Sequence, residues 1–139
     1  MRKYLGLSKL CHLAFLMCLL QSTQLIAGTD VSAEKAPAPT WMLNDLEGNP
    51  NSLASYKGKV VVLNFWGTFC TPCLKEVPEF VATQQHYADK GVVVVGAAMD
   101  KNDDAAVKAF AKKYFINYPV VIAPSAMIHN YGVVVAPAT

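Results

Sequence analysis

The composition describes a small globular chain of modest charge. It has 139 residues, of which 53% are hydrophobic and 16% are charged. This length favours a single domain, and this composition is typical of a chain with a buried core rather than of a disordered one. The net charge of +2 depends on the N-terminus: without Arg2, Lys3 and Lys9, 9 of the 12 basic residues remain against 10 acidic ones. Because no basic stripe is left, we expect no nucleic acid among the partners.

The N-terminal segment has the pattern of an export signal. Arg2 and Lys3 precede a short apolar run at residues 10–20 (LCHLAFLMCLL), and polar residues follow it. A membrane-spanning helix needs roughly 20 apolar residues, so a cleaved signal peptide over residues 1–27 is favoured over an anchor. Residues 28–40, rich in Ala, Pro and Thr, predict a linker, and residues 41–139 the domain. We therefore expect a periplasmic or other extracytoplasmic location.

Cleavage of this signal changes the cysteine count. The chain contains Cys11 and Cys18 within the signal, and Cys70 and Cys73 within the domain. The mature chain would keep only the second pair, a single CxxC in a compartment where disulfides form and persist.

The order of predicted elements indicates an α/β domain. Residues 41–53 contain a turn sequence, EGNP, between short apolar segments, which predicts a hairpin. The nearly unbroken apolar runs Val60–Trp66 and Val92–Ala98 are typical of strands covered on both faces. Between them, apolar residues repeat at the spacing of a helix, and Gly91 is the predicted end of that helix. We expect a parallel βαβ unit. A second helix capped by Asp103 or Asp104 and a short strand within residues 118–123 follow.

The pair Cys70 and Cys73 lies where the first strand gives way to its helix. A helix N-terminus presents unpaired N–H groups and a partial positive charge, which stabilise a thiolate and lower its pKa. Cys70, earlier in the chain and nearer solvent, is the expected nucleophile, and Cys73 can resolve a mixed disulfide. A structural disulfide and half of a zinc site are the alternatives. Zinc needs about four ligands, and the mature chain offers only His86 and His129 besides the cysteines, so we expect no metal.

Residues 62–78 (VLNFWGTFCTPCLKEVP) resemble the active-site segment of TlpA/ResA-type thioredoxin-like disulfide reductases, and the similarity extends from about residue 37 to the end. The resemblance implies a thioredoxin-like fold. It makes Cys70 the nucleophile, Cys73 the resolving thiol, and Glu76 an acid that exchanges a proton with Cys73. Alternatively, Glu76 is an exposed residue that helps the helix dipole.

The same resemblance implies a surface for substrate. It assigns Trp66 and Pro72 to the surface beside the cysteines. It makes Pro137, with Ala136 before it, the cis-proline that faces the pair and offers backbone hydrogen bonds. In the family, the equivalent of Pro137 begins a strand that is followed by another strand and a final helix. The chain stops at Thr139, so we expect a fold that lacks these last elements, and an inactive remnant is one possible reading.

Two other functions compete with disulfide reduction. A thiol peroxidase of peroxiredoxin type would carry the pattern Pro-x-x-x-Thr-x-x-Cys, which fits neither Cys70 nor Cys73. A copper-binding metallochaperone would use both cysteines with His129, although such proteins usually space their cysteines by three residues. We therefore predict a thiol:disulfide oxidoreductase with no cofactor beyond the redox-active disulfide. A membrane thiol reductant donates electrons to it, and a protein disulfide, with apocytochrome c as the family's example, receives them.

Overall fold

The computed structural model describes residues 36–101 and 103–139. Within them, Pro37–Thr139 forms one compact unit. The predicted signal peptide and all but the last five residues of the predicted linker lie outside the described range. No helix in the described part of the chain is long and apolar enough to cross a membrane.

A parallel three-stranded sheet forms the centre of the unit. Its strands are β3 (Val60–Trp66), β4 (Val92–Ala98) and β5 (Val120–Ile122), in the order β3-β4-β5. The central strand β4 is buried from Val93 to Ala98. Coverage on both faces explains why its sequence is a continuous β-branched run instead of an alternating one. The parallel βαβ prediction is confirmed, and β5 is shorter than the predicted stretch.

An antiparallel hairpin precedes the sheet, as predicted. It consists of β1 (Met42–Asn44) and β2 (Pro50–Ser52). The Asp45 carboxylate closes the turn by accepting hydrogen bonds from the backbone N–H groups of Glu47 at 3.0 Å and Asn49 at 2.8 Å. Gly48 takes a φ of 87°, a conformation that glycine adopts without steric cost. The Leu46 N–H donates to the Val120 carbonyl at 3.0 Å, so the hairpin turn contacts β5.

Three α-helices complete the unit: α1 (Cys73–Tyr87), α2 (Asp104–Lys113) and α3 (Ser125–Asn130). Two 3-10 turns, Leu53–Tyr56 and Ala88–Lys90, lie between the elements. Gly91, with φ 82°, ends the turn after α1, and Asp103 caps α2 by accepting the Ala106 N–H at 3.0 Å. Both boundaries were predicted. Helix α3 was not, because six residues are too few to show a helical period.

The two faces of the sheet bury separate apolar clusters. Alternation along β3 sends Trp66 to one face and Phe65 to the other. The cluster around Trp66 includes both cysteines, Val94 and Phe110. The cluster around Phe65 is built by residues of the hairpin, the sheet and α3, among them Trp41, Val95, Val121 and Met127.

The outer edge of β3 is paired at one point among the described residues. Phe65 and Ala138 form an isolated antiparallel bridge, with N···O distances of 2.7 and 3.2 Å. The segment that carries Pro137 thus returns alongside β3, close to the end of the strand that leads to the cysteines.

Candidate active site

The cysteine pair follows directly from the end of β3. After Trp66, the chain makes a tight turn in which the Cys70 N–H donates to the Gly67 carbonyl at 3.0 Å. Pro72 occupies the N-cap position of α1 with helical angles, φ −63° and ψ −32°, and gives no side-chain capping bond. Its fixed φ suits this position, and it has no N–H to leave unpaired. The strand, turn and helix therefore set Cys70 just before α1 and Cys73 at its first residue.

Cys70 and Cys73 form a disulfide, with their Cα atoms 5.3 Å apart. The backbone N–H of Cys73 donates to the Cys70 sulfur at 3.3 Å. The same N–H lies at the positive end of the dipole of α1. A hydrogen bond from a helix N-terminus favours a thiolate over a thiol, so a lowered pKa of Cys70 in the reduced protein stays a prediction.

The two cysteines differ in accessibility. Cys70 is 7% exposed and Cys73 is 2% exposed. Both are buried and Cys70 is the more accessible of the two, so its role as the nucleophile stays a prediction. Thr71 and Pro72, between them, are exposed. Phe69, just before Cys70, is 71% exposed. Sequence reasoning did not select Phe69, although an aromatic residue beside the nucleophile of a surface motif is a detectable signal.

The predicted surface role of Trp66 is wrong. Its side chain is 1% exposed and packs against Phe110, with ring centroids 4.6 Å apart. Because Trp66 is the last residue of β3 and points to the face that α1 and α2 cover, its ring belongs to the core cluster with both cysteines. Its indole Nε1 is buried with no hydrogen-bond partner among the described residues. Trp66 supports the cysteine pair from the interior.

The segment with Pro137 lies near this cluster. The Ala136–Pro137 peptide bond is cis, as the resemblance implied. Ala136 is partly buried and packs against the cluster that contains the cysteines. Pro137 is also partly buried and lines a groove of about 650 Å³ beside β3, together with Phe65 and Val134. The structure thus brings Ala136 to the core cluster that contains the cysteines, and the role of both residues in binding substrate stays a prediction.

Glu76 lies in the first turn of α1, one helical turn after Cys73, and is partly buried. This position is compatible both with proton exchange and with a purely local effect on the helix dipole. Its catalytic role stays a prediction.

The structure adds a buried acidic residue, Asp100, that the sequence analysis did not select. Asp100 follows β4 and is 7% exposed. Its carboxylate accepts the backbone N–H of Thr68, at 3.2 Å to Oδ1 and 3.1 Å to Oδ2, and the Thr68 hydroxyl donates to Oδ1 as well. An acid two residues after a buried strand, at the same sheet edge as the cysteines, was the available signal.

No metal-binding cluster accompanies the pair in the described residues. Nowhere in residues 36–101 and 103–139 do three or more His, Cys, Asp or Glu side chains come together in a group that could hold an ion. His129, the third ligand of the copper hypothesis, is exposed on α3 and is not grouped with the cysteines.

The chain is similar to known thiol:disulfide oxidoreductases. The family model described as the AhpC/TSA family matches residues 35–139. A thiol-disulfide oxidoreductase ResA from Bacillus thuringiensis is 42% identical over 103 residues, which are 73% of this chain and 59% of the relative. The chain therefore spans less than two thirds of that relative's length.

Two solved structures agree with this relationship. A thiol:disulfide interchange protein of the thioredoxin family from Chlorobium tepidum matches with 36% identity and a TM-score of 0.64, over 74% of this chain and 71% of that one. A secreted disulfide oxidoreductase from Mycobacterium tuberculosis matches with 31% identity and a TM-score of 0.62, over 70% and 71%. The predicted thioredoxin-like fold is confirmed, and the chain belongs to the AhpC/TSA family.

Proposed function

We propose that this chain is an exported thiol:disulfide oxidoreductase that reduces protein disulfides through Cys70 and Cys73. The observation that carries the proposal is the Cys73 N–H, which lies 3.3 Å from the Cys70 sulfur at the start of a helix. Such a contact favours the thiolate, and the thiolate is the nucleophile in disulfide exchange.

The reaction proceeds in two exchanges. The Cys70 thiolate attacks one sulfur of the substrate disulfide, forms a mixed disulfide and releases the other substrate sulfur as a thiolate. Cys73 then loses its proton and attacks the Cys70 sulfur, which frees the second substrate thiolate and leaves the Cys70–Cys73 disulfide. Two electrons pass from the protein to the substrate. Glu76 is the proposed acceptor of the Cys73 proton, one helical turn away.

The direction of the reaction is proposed from the motif. The Cys-x-Pro-Cys motif, with Pro72 here, is similar to that of thioredoxin-like reductants. Thioredoxin itself has a reduction potential near −270 mV. No cofactor beyond the disulfide is required. A membrane thiol reductant returns the two electrons after each cycle, and apocytochrome c is the substrate that the ResA-type resemblance suggests.

The location is proposed from the N-terminal sequence. A charged start followed by a short apolar run is typical of a secretory signal peptide, and the similar M. tuberculosis protein is secreted. We place the mature chain in the periplasm or outside the cell.

The test uses the full chain, equilibrated in dithiothreitol redox buffers and analysed by mass after alkylation. We expect a single two-electron transition near −270 mV and reduction of insulin as a probe disulfide. Cys70→Ser abolishes both, and Cys73→Ser accumulates the mixed disulfide. The matched control is the double variant C11S/C18S, which keeps the proposed pair and should behave like the unaltered chain.

Other outcomes would select another function. Rapid peroxide consumption with sulfenic acid at one cysteine would indicate a thiol peroxidase. Tight Cu(I) binding that is lost in His129→Ala would indicate a metallochaperone. An unfolded chain whose thiols titrate like free cysteine would indicate an inactive remnant.

A further inference from the structure

Asp100 is a buried carboxylate whose observed partners all belong to one residue. Acidic side chains are almost never this buried unless they are paired or hydrogen-bonded. Asp100 meets this requirement through the backbone N–H and the hydroxyl of Thr68. The two residues are 32 positions apart in the chain, so the contact joins the loop after β4 to the loop after β3.

Thr68 lies inside the turn that delivers the nucleophile. The turn begins at Gly67 and closes with the 3.0 Å hydrogen bond from the Cys70 N–H to the Gly67 carbonyl. A second bond, from the Met99 N–H to the Trp66 carbonyl at 2.7 Å, joins the same two loops one step earlier. The segment that follows β4 thus holds the backbone at Trp66 and Thr68, whereas Phe69, directly before Cys70, is exposed.

We propose that Asp100 is a positioning residue for Cys70: by holding Thr68, it keeps the Cys70 sulfur against the Cys73 N–H at the start of α1. The inference rests on the proposed function, because it concerns how that site prepares its thiolate. A free turn would let the sulfur leave the N–H, which weakens the stabilisation of the thiolate and slows its attack.

Position and charge predict opposite effects of Asp100. As a nearby negative charge, the carboxylate would disfavour the thiolate, and its removal would make Cys70 more reactive. As a positioning group, it favours the thiolate, and its removal would make Cys70 less reactive. The other charged side chains on the segments around the turn are Lys75, Glu76 and Lys101, and none of them changes in the variants below.

The experiment measures the thiol pKa of Cys70 in the reduced full chain, from the rate of iodoacetamide alkylation against pH, with the site assigned by tandem mass spectrometry. The variants are Asp100→Asn, Thr68→Val, which removes the hydroxyl at nearly constant shape, and the matched control Thr68→Ser, which keeps it. Circular dichroism and urea unfolding report the folding of each.

We expect Cys70 in Asp100→Asn to alkylate about fivefold more slowly at a pH below its pKa, which corresponds to a rise of roughly 0.7 pKa units. Thr68→Val should shift the rate in the same direction by less, because it keeps the backbone N–H bonds. Thr68→Ser should match the unaltered chain. Faster alkylation in Asp100→Asn would overturn the proposal in favour of a charge effect. Loss of stability with an unchanged Cys70 pKa in Thr68→Val would reduce Asp100 to a structural role.

The readout separates this inference from the proposed function. Alkylation needs no substrate, so the Cys70 pKa is measured whether or not the chain reduces insulin. A chain that shows the expected shifts but no disulfide exchange would refute the function and keep the positioning role. If the chain exchanges disulfides but none of the three variants changes the pKa of Cys70, the proposed function stands and the positioning role is refuted.

Discussion

We predict that Gly96, in the middle of β4, has to be glycine because a larger side chain would collide with the Trp66 ring. Its φ is not in the positive region, so conformation alone would permit alanine. A Cβ at this position would lie 2.8 Å from the Trp66 Nε1, and 3.2 Å from both Tyr118 Cε2 and Val120 Cγ2. Glycine within a strand often marks such a close approach. We therefore expect Gly96→Ala to destabilise the protein through steric conflict with the core beneath the cysteines.

The magnitude follows from two opposing effects. Ordinary carbon contacts lie near 3.5 Å or beyond, so Trp66 would have to move by roughly 0.7 Å. Its ring is 1% exposed and packed against Phe110, and overpacking of such a site costs about 1–3 kcal/mol. Replacement of glycine by alanine restricts the unfolded chain and returns about 0.4–1 kcal/mol. The net loss should be about 1–2 kcal/mol.

The assay is urea unfolding of the oxidised protein as a double-mutant cycle with Trp66→Phe. Phenylalanine removes the indole nitrogen that the new Cβ would meet, so we expect it to relieve part of the cost of Gly96→Ala. A coupling of about 0.5 kcal/mol or more is in the range of residues in contact. Additive effects, or a Gly96→Ala protein as stable as the unaltered one, would refute the steric reasoning.

Three further predictions concern stability. Burial raises the pKa of Tyr118 from 10.0 to about 12, so its neutral form contributes stability that is fully present below about pH 10 and lost as the pH rises to about 12. Tyr118→Phe should make the urea midpoint fall less steeply over that window, and equal slopes would contradict the assignment. Asp103→Ala removes the cap of α2 and should cost about 1 kcal/mol, whereas Asp104→Ala, in the same turn without that bond, should cost less; equal losses in chemical denaturation would argue against the cap. Closure of the short Cys70–Cys73 loop, with a sequence separation of 3, should make the oxidised protein more stable than the reduced one by about 2 kcal/mol, and a more stable reduced form in urea would disprove this.

Local patterns were enough to predict the framework of the domain. The runs in β3 and β4 are continuous because both faces of a parallel sheet are covered, and this leaves a clear sequence signal. The Asp103 cap and the stop at Gly91 are also encoded within one turn of chain. The same holds for Cys70 and Cys73, whose spacing and junction position carry their chemistry.

The remaining features of the site depend on residues that are distant in sequence. The contact between Asp100 and Thr68 joins loops that meet only because β3 and β4 pair in parallel and end at the same edge. The approach of Ala136 to the cysteine cluster depends on the return of the chain beside β3.

The sequence by itself determined the class of fold, the strands, the main helix boundaries and the redox pair, because these follow from local periodicity, capping and spacing. Only the tertiary structure decided that Trp66 is buried, that Gly96 must leave room for its ring, and that Asp100 holds the turn before Cys70. The physical reason is that burial and long-range hydrogen bonds depend on which elements pack together. The residue type at one position does not indicate which distant residues will pack against it.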